Sequence, residues 1–143
     1  MNYRVRRIDP YWLSHPVLPV VAIVGVLAGL FFASSAMLWP AVAGGVVGGI
    51  AILLEVKPGI TAVMSVFGLV GGLTTFIFAP QPEIQAMAPW LRAVSVIFFV
   101  AFYTVLMDGI VLFISVLYNL FAGPVGLEGI SIELEAESSE GAE

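Results

Sequence analysis

Polar residues are scarce along most of this chain and fall in short groups between four long apolar runs. The runs are nearly continuous, without the alternating polar face of a soluble amphipathic helix. About 20 apolar residues in succession is the length of helix that crosses a hydrocarbon core. The pattern predicts spans at about residues 16–33, 38–54, 60–78 and 93–121. Pro16 and Pro19 fall in the opening turn of the first span, where a missing N–H costs little. Residues 34–39 form an uncharged turn, residues 55–59 (Glu-Val-Lys-Pro-Gly) a second, and residues 79–83 a stiff loop that Pro89 and Trp90 extend. Counted from Pro89, the last apolar segment would be about 50 Å long as a helix. It must therefore tilt, bend or begin outside the core, and Asp108-Gly109 is the expected bend.

Composition agrees with that pattern. The 143 residues are 60% hydrophobic and 10% charged, with a mean hydropathy of +1.07, whereas a soluble domain carries about 25% charged residues. The expected fold class is an all-α membrane protein, a bundle of four transmembrane helices with short loops and an acidic C-terminal tail. Residues 1–15 form a basic and aromatic N-terminus, residues 16–122 the transmembrane domain and residues 123–143 the tail.

The net charge of −5 conceals an asymmetry: Arg4, Arg6 and Arg7 lie at the start, while six glutamates lie after residue 127. With four spans, Arg4, Arg6, Arg7 and Lys57 fall on one side and Arg92 alone on the other. The positive-inside rule then predicts a multi-pass protein of the cell membrane with both termini cytoplasmic. Tyr11 and Trp12 suit the water–lipid interface. A cleavable signal peptide, with residues 33–36 (Ala-Ser-Ser-Ala) as its cleavage site, competes with the first span as an anchor, and the anchor is the expectation.

Candidate chemistry is sparse. The chain has no cysteine, and the single histidine, His15, cannot build a cluster. No nucleophile–base pair, metal cluster or phosphate loop is legible, so neither catalysis nor a metal or other cofactor is expected. Nucleic acid is not an expected partner, because no basic patch exists beyond the short N-terminal arm.

Ten of the fifteen glycines fall between residues 25 and 72, which concentrates them in the first three spans. Gly25 and Gly29 mark the first span, Gly44, Gly45, Gly48 and Gly49 the second, and Gly68 and Gly72 the third. Glycine at i and i+4 lets two helix backbones approach closely, either within one subunit or between copies through the second span.

Asp108 lies inside the fourth span, where insertion of a carboxylate costs about 2.5–3.5 kcal/mol. It needs a partner, a wet cavity or a proton. Thr104, Asp108, Ser115 and Asn119 recur at helical spacing on the fourth span, and Thr61, Ser65, Gly68, Gly72 and Thr75 on the third. Counted from the cytoplasmic ends, Asp108 should lie near the level of Ser65 or Gly68. The candidate polar or ion site is therefore Asp108 with Thr61, Ser65, Thr104 and Ser115. Arg92 is about 24 Å away along the helix, too far to pair with it. Asp108 is read as hydrogen-bonded glue between helices or as an ion or proton relay.

In the tail, Ile130, Ile132, Leu134 and Ala136 alternate with polar residues. Its composition suits a solvated end, while the alternation suits a strand added to a partner's sheet. The leading functional expectation is a structural or interaction subunit of a larger membrane complex or homo-oligomer. Its partners would be the lipid bilayer, other membrane subunits or a second copy, and a soluble protein for the acidic tail. The alternative is a transport component that uses Asp108.

Overall fold

The computed structural model describes residues 2–4, 7–13, 15–122 and 131–133. In chain order the elements are β1 (Asn2–Arg4), α1 (Val17–Ser34), α2 (Leu38–Glu55), α3 (Pro58–Leu73), a π-helical turn (Thr74–Phe78), α4 (Pro82–Gln85), α5 (Pro89–Ala122) and β2 (Ser131–Glu133). Four helices are long and apolar enough to cross a membrane: α1, α2, α3 with its π turn, and α5. The chain divides into two compact units, Pro10–Leu112 and the paired ends Met1–Asp9 and Phe113–Glu143.

In the larger unit, α1 and α2 form an antiparallel hairpin. At its turn, Ala36 N–H donates to the Ala33 carbonyl and Met37 N–H to the Phe32 carbonyl. This pairing closes a helix C-terminus and requires a left-handed residue, and Ala36 takes that role at φ 55°. Below the turn the two backbones touch. A Cβ on Gly25 would lie 2.6 Å from the Gly48 nitrogen, and one on Gly44 would lie 2.7 Å from the Gly29 nitrogen. No side chain larger than hydrogen fits at either position without the helices moving apart.

The contact between α3 and α5 has a different character. Gly68, Gly71 and Gly72 accommodate rings of α5, with Tyr103 beside Gly68 and Phe99 beside Gly71 and Gly72. Phe99 stacks on Tyr103 at 6.1 Å, and Phe76 meets Phe99 edge-on at 6.1 Å. On the other side of α5, Val105 packs at Gly49, and Gly109 receives the Ile52 side chain of α2. These contacts advance together along both chains, so α2 and α5 run parallel while α3 runs antiparallel to α5.

Several expectations change here. The helix of α5 is continuous through Asp108 and Gly109, and the Ile52 side chain packs at Gly109. The loop after the third span contains a short helix, α4. Thr75 is exposed and leaves the face that it shares with Thr61 and Ser65 in an ideal helix, because the π turn rotates the residues that follow Leu73.

A short extended segment precedes α1. Trp12 N–H donates to the Glu55 carbonyl (2.6 Å), Lys57 N–H donates to the Pro10 carbonyl (2.8 Å), and Tyr11 opposes Val56 in an antiparallel bridge. This strap lies on the α2–α3 turn, where Pro10 and Val56 are buried.

In the smaller unit, β1 pairs antiparallel with β2, in the register Asn2↔Glu133, Tyr3↔Ile132 and Arg4↔Ser131. The strand pattern of the tail is thus met within the chain around Ile132. Ile130, Leu134 and Ala136 lie outside the described residues. Asn119 of α5 grips the N-terminal arm from both sides of its amide: Ile8 N–H donates to Oδ1, and Nδ2 donates to the Ile8 carbonyl, each at 2.8 Å.

Burial is inverted relative to a soluble domain. Among the described residues the buried polar or charged side chains are Glu55, Thr104, Asp108 and Ser115, while most large apolar side chains of the four long helices are exposed.

Candidate functional site

The polar seam forms where α3 lies against α5. Thr61 stands one turn inside the start of α3, and its hydroxyl donates to Asp108 Oδ2 at 2.7 Å. One turn further on, the Ser65 and Thr104 hydroxyls meet at 3.2 Å. Asp108 therefore lies level with Thr61, a turn closer to the end of the bundle than the Ser65 or Gly68 level expected from the sequence. The ends of the two helices are offset: Asp108 stands 14 residues, about 21 Å, before the last residue of α5, whereas Thr61 stands three residues after the first residue of α3.

The helix periodicity of α5 places Thr104, Asp108 and Ser115 on its buried face, and Asp108 has no exposed surface (0%). Thr61, Ser65, Thr104 and Asp108 are brought together. Ser115 is buried in the smaller unit, and Asn119 on the same helix face is engaged with Ile8.

Proton accounting decides what this seam can do. Ser65 donates to the Thr61 carbonyl at 2.8 Å, and Thr104 lies 2.7 Å from the Val100 carbonyl, each the ordinary return of a helical hydroxyl to residue i−4. Each hydroxyl has one proton. If Ser65 and Thr104 both keep these bonds, the contact between their oxygens carries none. It becomes a hydrogen bond only when one of them lets go of its carbonyl. The link from Thr61 to Ser65 runs through the Thr61 carbonyl, not its hydroxyl. The seam is thus a set of helix-to-helix fastenings and lacks an unbroken row of hydroxyls leading to Asp108.

Asp108 Oδ1 is buried and accepts no hydrogen bond from any described residue. A buried polar atom in that state costs about 1–3 kcal/mol relative to a satisfied one. Beside the seam is a cleft of about 430 Å³ between α2, α3 and α5. Thr61, Ser65 and Thr104 supply its polar wall and Leu53, Leu69 and Val96 part of its apolar one. No group of three or more His, Cys, Asp or Glu side chains able to hold a metal ion occurs among the described residues.

The glycines named from the sequence separate into distinct roles. Gly25, Gly29, Gly44 and Gly48 make the backbone contact of α1 with α2, and Gly68 and Gly72 admit α5. Gly49 is in ordinary contact with Val105. Gly45 differs: nothing lies within 4 Å of the position its Cβ would take. Its backbone is close to Gly29, but the space beside it is empty.

Sequence reasoning missed two features. Glu55, the last residue of α2, is buried, and its carbonyl anchors the strap. Asn119 was legible as a member of the seam face but not as a clamp on Ile8, because a contact over 111 residues leaves no local signal. Comparison of the chain with protein-family models, with curated proteins and with solved structures found no match to any of the three.

Proposed function

We propose that this chain is a multi-pass protein of the cell membrane, with both termini cytoplasmic, that serves as a structural or interaction subunit of a larger membrane complex or homo-oligomer. The inverted burial carries the membrane reading: polar side chains are turned inward and apolar ones outward, as a hydrocarbon solvent requires. The three tryptophans support it. Trp12, Trp39 and Trp90 are 62%, 80% and 67% exposed. Trp39 and Trp90 lie at helix starts and Trp12 at the opposite end of α2, beside Glu55. Trp39 and Glu55 are about 24 Å apart along α2, a spacing that suits aromatic belts at the two faces of a bilayer. Pairing of β1 with β2 supports an even number of crossings, since both ends must then reach one compartment.

The subunit reading draws on Gly45, whose open flank on a lipid-facing helix suits close approach by a helix of another chain. The acidic tail, which extends beyond the described residues, would meet soluble partners. Mass measurement of the particle extracted from its native membrane in mild detergent tests the reading. More protein than one 15.2 kDa chain is expected, with Gly45→Leu reducing that mass. One chain per particle in the wild type would overturn it.

A second reading is favoured by the unsatisfied Asp108 Oδ1: an ion or proton transport component. On that reading Asp108→Asn abolishes proton flux into reconstituted vesicles while the protein stays folded. Wild-type flux no greater than the leak of empty vesicles would remove it.

A further inference from the structure

We propose that the cleft between α3 and α5 holds one acyl chain of a phospholipid, with Arg92 clasping the phosphate at the end of the bundle where α5 begins. The inference rests on the membrane reading above and names a ligand that the reading leaves open. Between Lys57 and Asp108 the sequence has two charged residues, Glu83 and Arg92. Arg92 lies in the first turn of α5, two residues after the exposed Trp90, at the depth of the lipid headgroups on that reading. Its guanidinium bonds to no described residue, and of its three nitrogens only Nε is buried. The side chain is therefore seated against the bundle, while its two terminal nitrogens reach the surface as a fork. Such a fork matches two oxygens of a phosphate, the anion that the headgroup layer supplies where the protein supplies no carboxylate.

The cleft leads away from Arg92 toward the interior of the membrane. Val96, Val100 and Thr104 follow Arg92 at intervals of four along α5, and all three line it. Ile97 and Ala101 line it too and are exposed, so it opens at the surface that faces lipid. From Arg92 to Thr104 is about 18 Å along the helix, close to the ~15 Å that one leaflet contributes to a ~30 Å hydrocarbon core. The deep end is polar by residue type, yet its protons are engaged: Thr61 donates to Asp108, Ser65 to the Thr61 carbonyl and Thr104 to the Val100 carbonyl. An acyl chain there strands none of these donors. At about 430 Å³ the cleft has room for a chain and is several times too small for a helix of about 10 Å diameter over that length.

The test uses the full chain in an uncharged detergent and reads bound lipid by native mass spectrometry, with circular dichroism to confirm that each variant keeps its helices. Two probes carry the same oleoyl chains: phosphatidylglycerol, and diacylglycerol, which lacks the phosphate. Wild type should retain phosphatidylglycerol and little diacylglycerol. Arg92→Gln should retain about tenfold less phosphatidylglycerol, the effect of losing a charge-assisted pair, and Arg92→Lys should recover part of it. Ala101→Phe, which narrows the cleft and leaves Arg92 in place, should also lower retention. Arg7→Gln, which removes an exposed charge of the N-terminal arm, should retain lipid as wild type does. Equal retention by wild type and Arg92→Gln, or of the two lipids by wild type, would overturn the phosphate site. Full retention by Ala101→Phe would overturn the cleft as the seat of the chain. Inorganic phosphate alone should leave no adduct, and an adduct that Arg92→Gln abolishes would assign the site to the free ion instead of a lipid. None of these failures bears on the number of spans, which thiol accessibility reports separately.

Discussion

Asp108 owes its position to a single hydroxyl. Thr61 satisfies one carboxyl oxygen and no described residue satisfies the other, so the site depends on Thr61 more than on the neighbouring pair Ser65 and Thr104. Thr61→Val should therefore destabilise the bundle by about 0.6–2 kcal/mol, the range measured for interhelical hydrogen bonds in membranes. Asp108→Leu should cost a similar amount, whereas Asp108→Asn keeps an acceptor for Thr61 and should be better tolerated. Unfolding of the three variants in mixed micelles checks the order, and equal stability of Asp108→Leu and wild type would show that the seam does not fasten α3 to α5. The chemistry of this pair was legible in the sequence because helical spacing placed Thr61, Ser65, Thr104 and Asp108 on facing sides. The level was not, because it depends on how the ends of α3 and α5 are offset, a tertiary fact that neither apolar run records.

Among the elements, the α1–α2 hairpin is the clearest case of glycines with opposite roles side by side. Gly44 lies against the Gly29 backbone, and Gly45, the next residue, faces empty space. Gly44→Ala should force the helices apart and destabilise the chain by about 1–3 kcal/mol, the usual cost of overpacking. Gly45→Ala should be neutral or stabilising by up to about 1 kcal/mol in the single chain, because alanine favours the helix. Thermal unfolding in detergent distinguishes the two, and equal loss of stability would mean that both flanks of α2 are packed within one chain. The sequence offered two overlapping i, i+4 series on α2 and could not rank them. The choice rests on which flank α1 meets, a tertiary fact. The π turn likewise leaves no mark in the apolar pattern, and it is what removes Thr75 from the seam.

For the whole molecule, the four long apolar helices were legible from hydropathy alone, because a hydrocarbon solvent demands runs of a fixed length. The links between distant parts of the chain were not: the strap on the α2–α3 turn, the Asn119 clamp and the β1–β2 pair join residues 43 or more positions apart. Of these, only the pairing of the tail left a trace, in the alternation around Ile132. The membrane reading places the strap and the α2–α3 turn in one compartment, and the α1–α2 turn and α4 in the other. Because the chain lacks cysteine, single replacements report on this without background. Leu13→Cys, Met37→Cys and Gln85→Cys each place a thiol at an exposed position at one end or the other of the helices. A membrane-impermeant thiol reagent added outside intact cells should label Met37→Cys and Gln85→Cys and spare Leu13→Cys until the membrane is opened. Labelling of Leu13→Cys together with Met37→Cys in intact cells would contradict the four-span account.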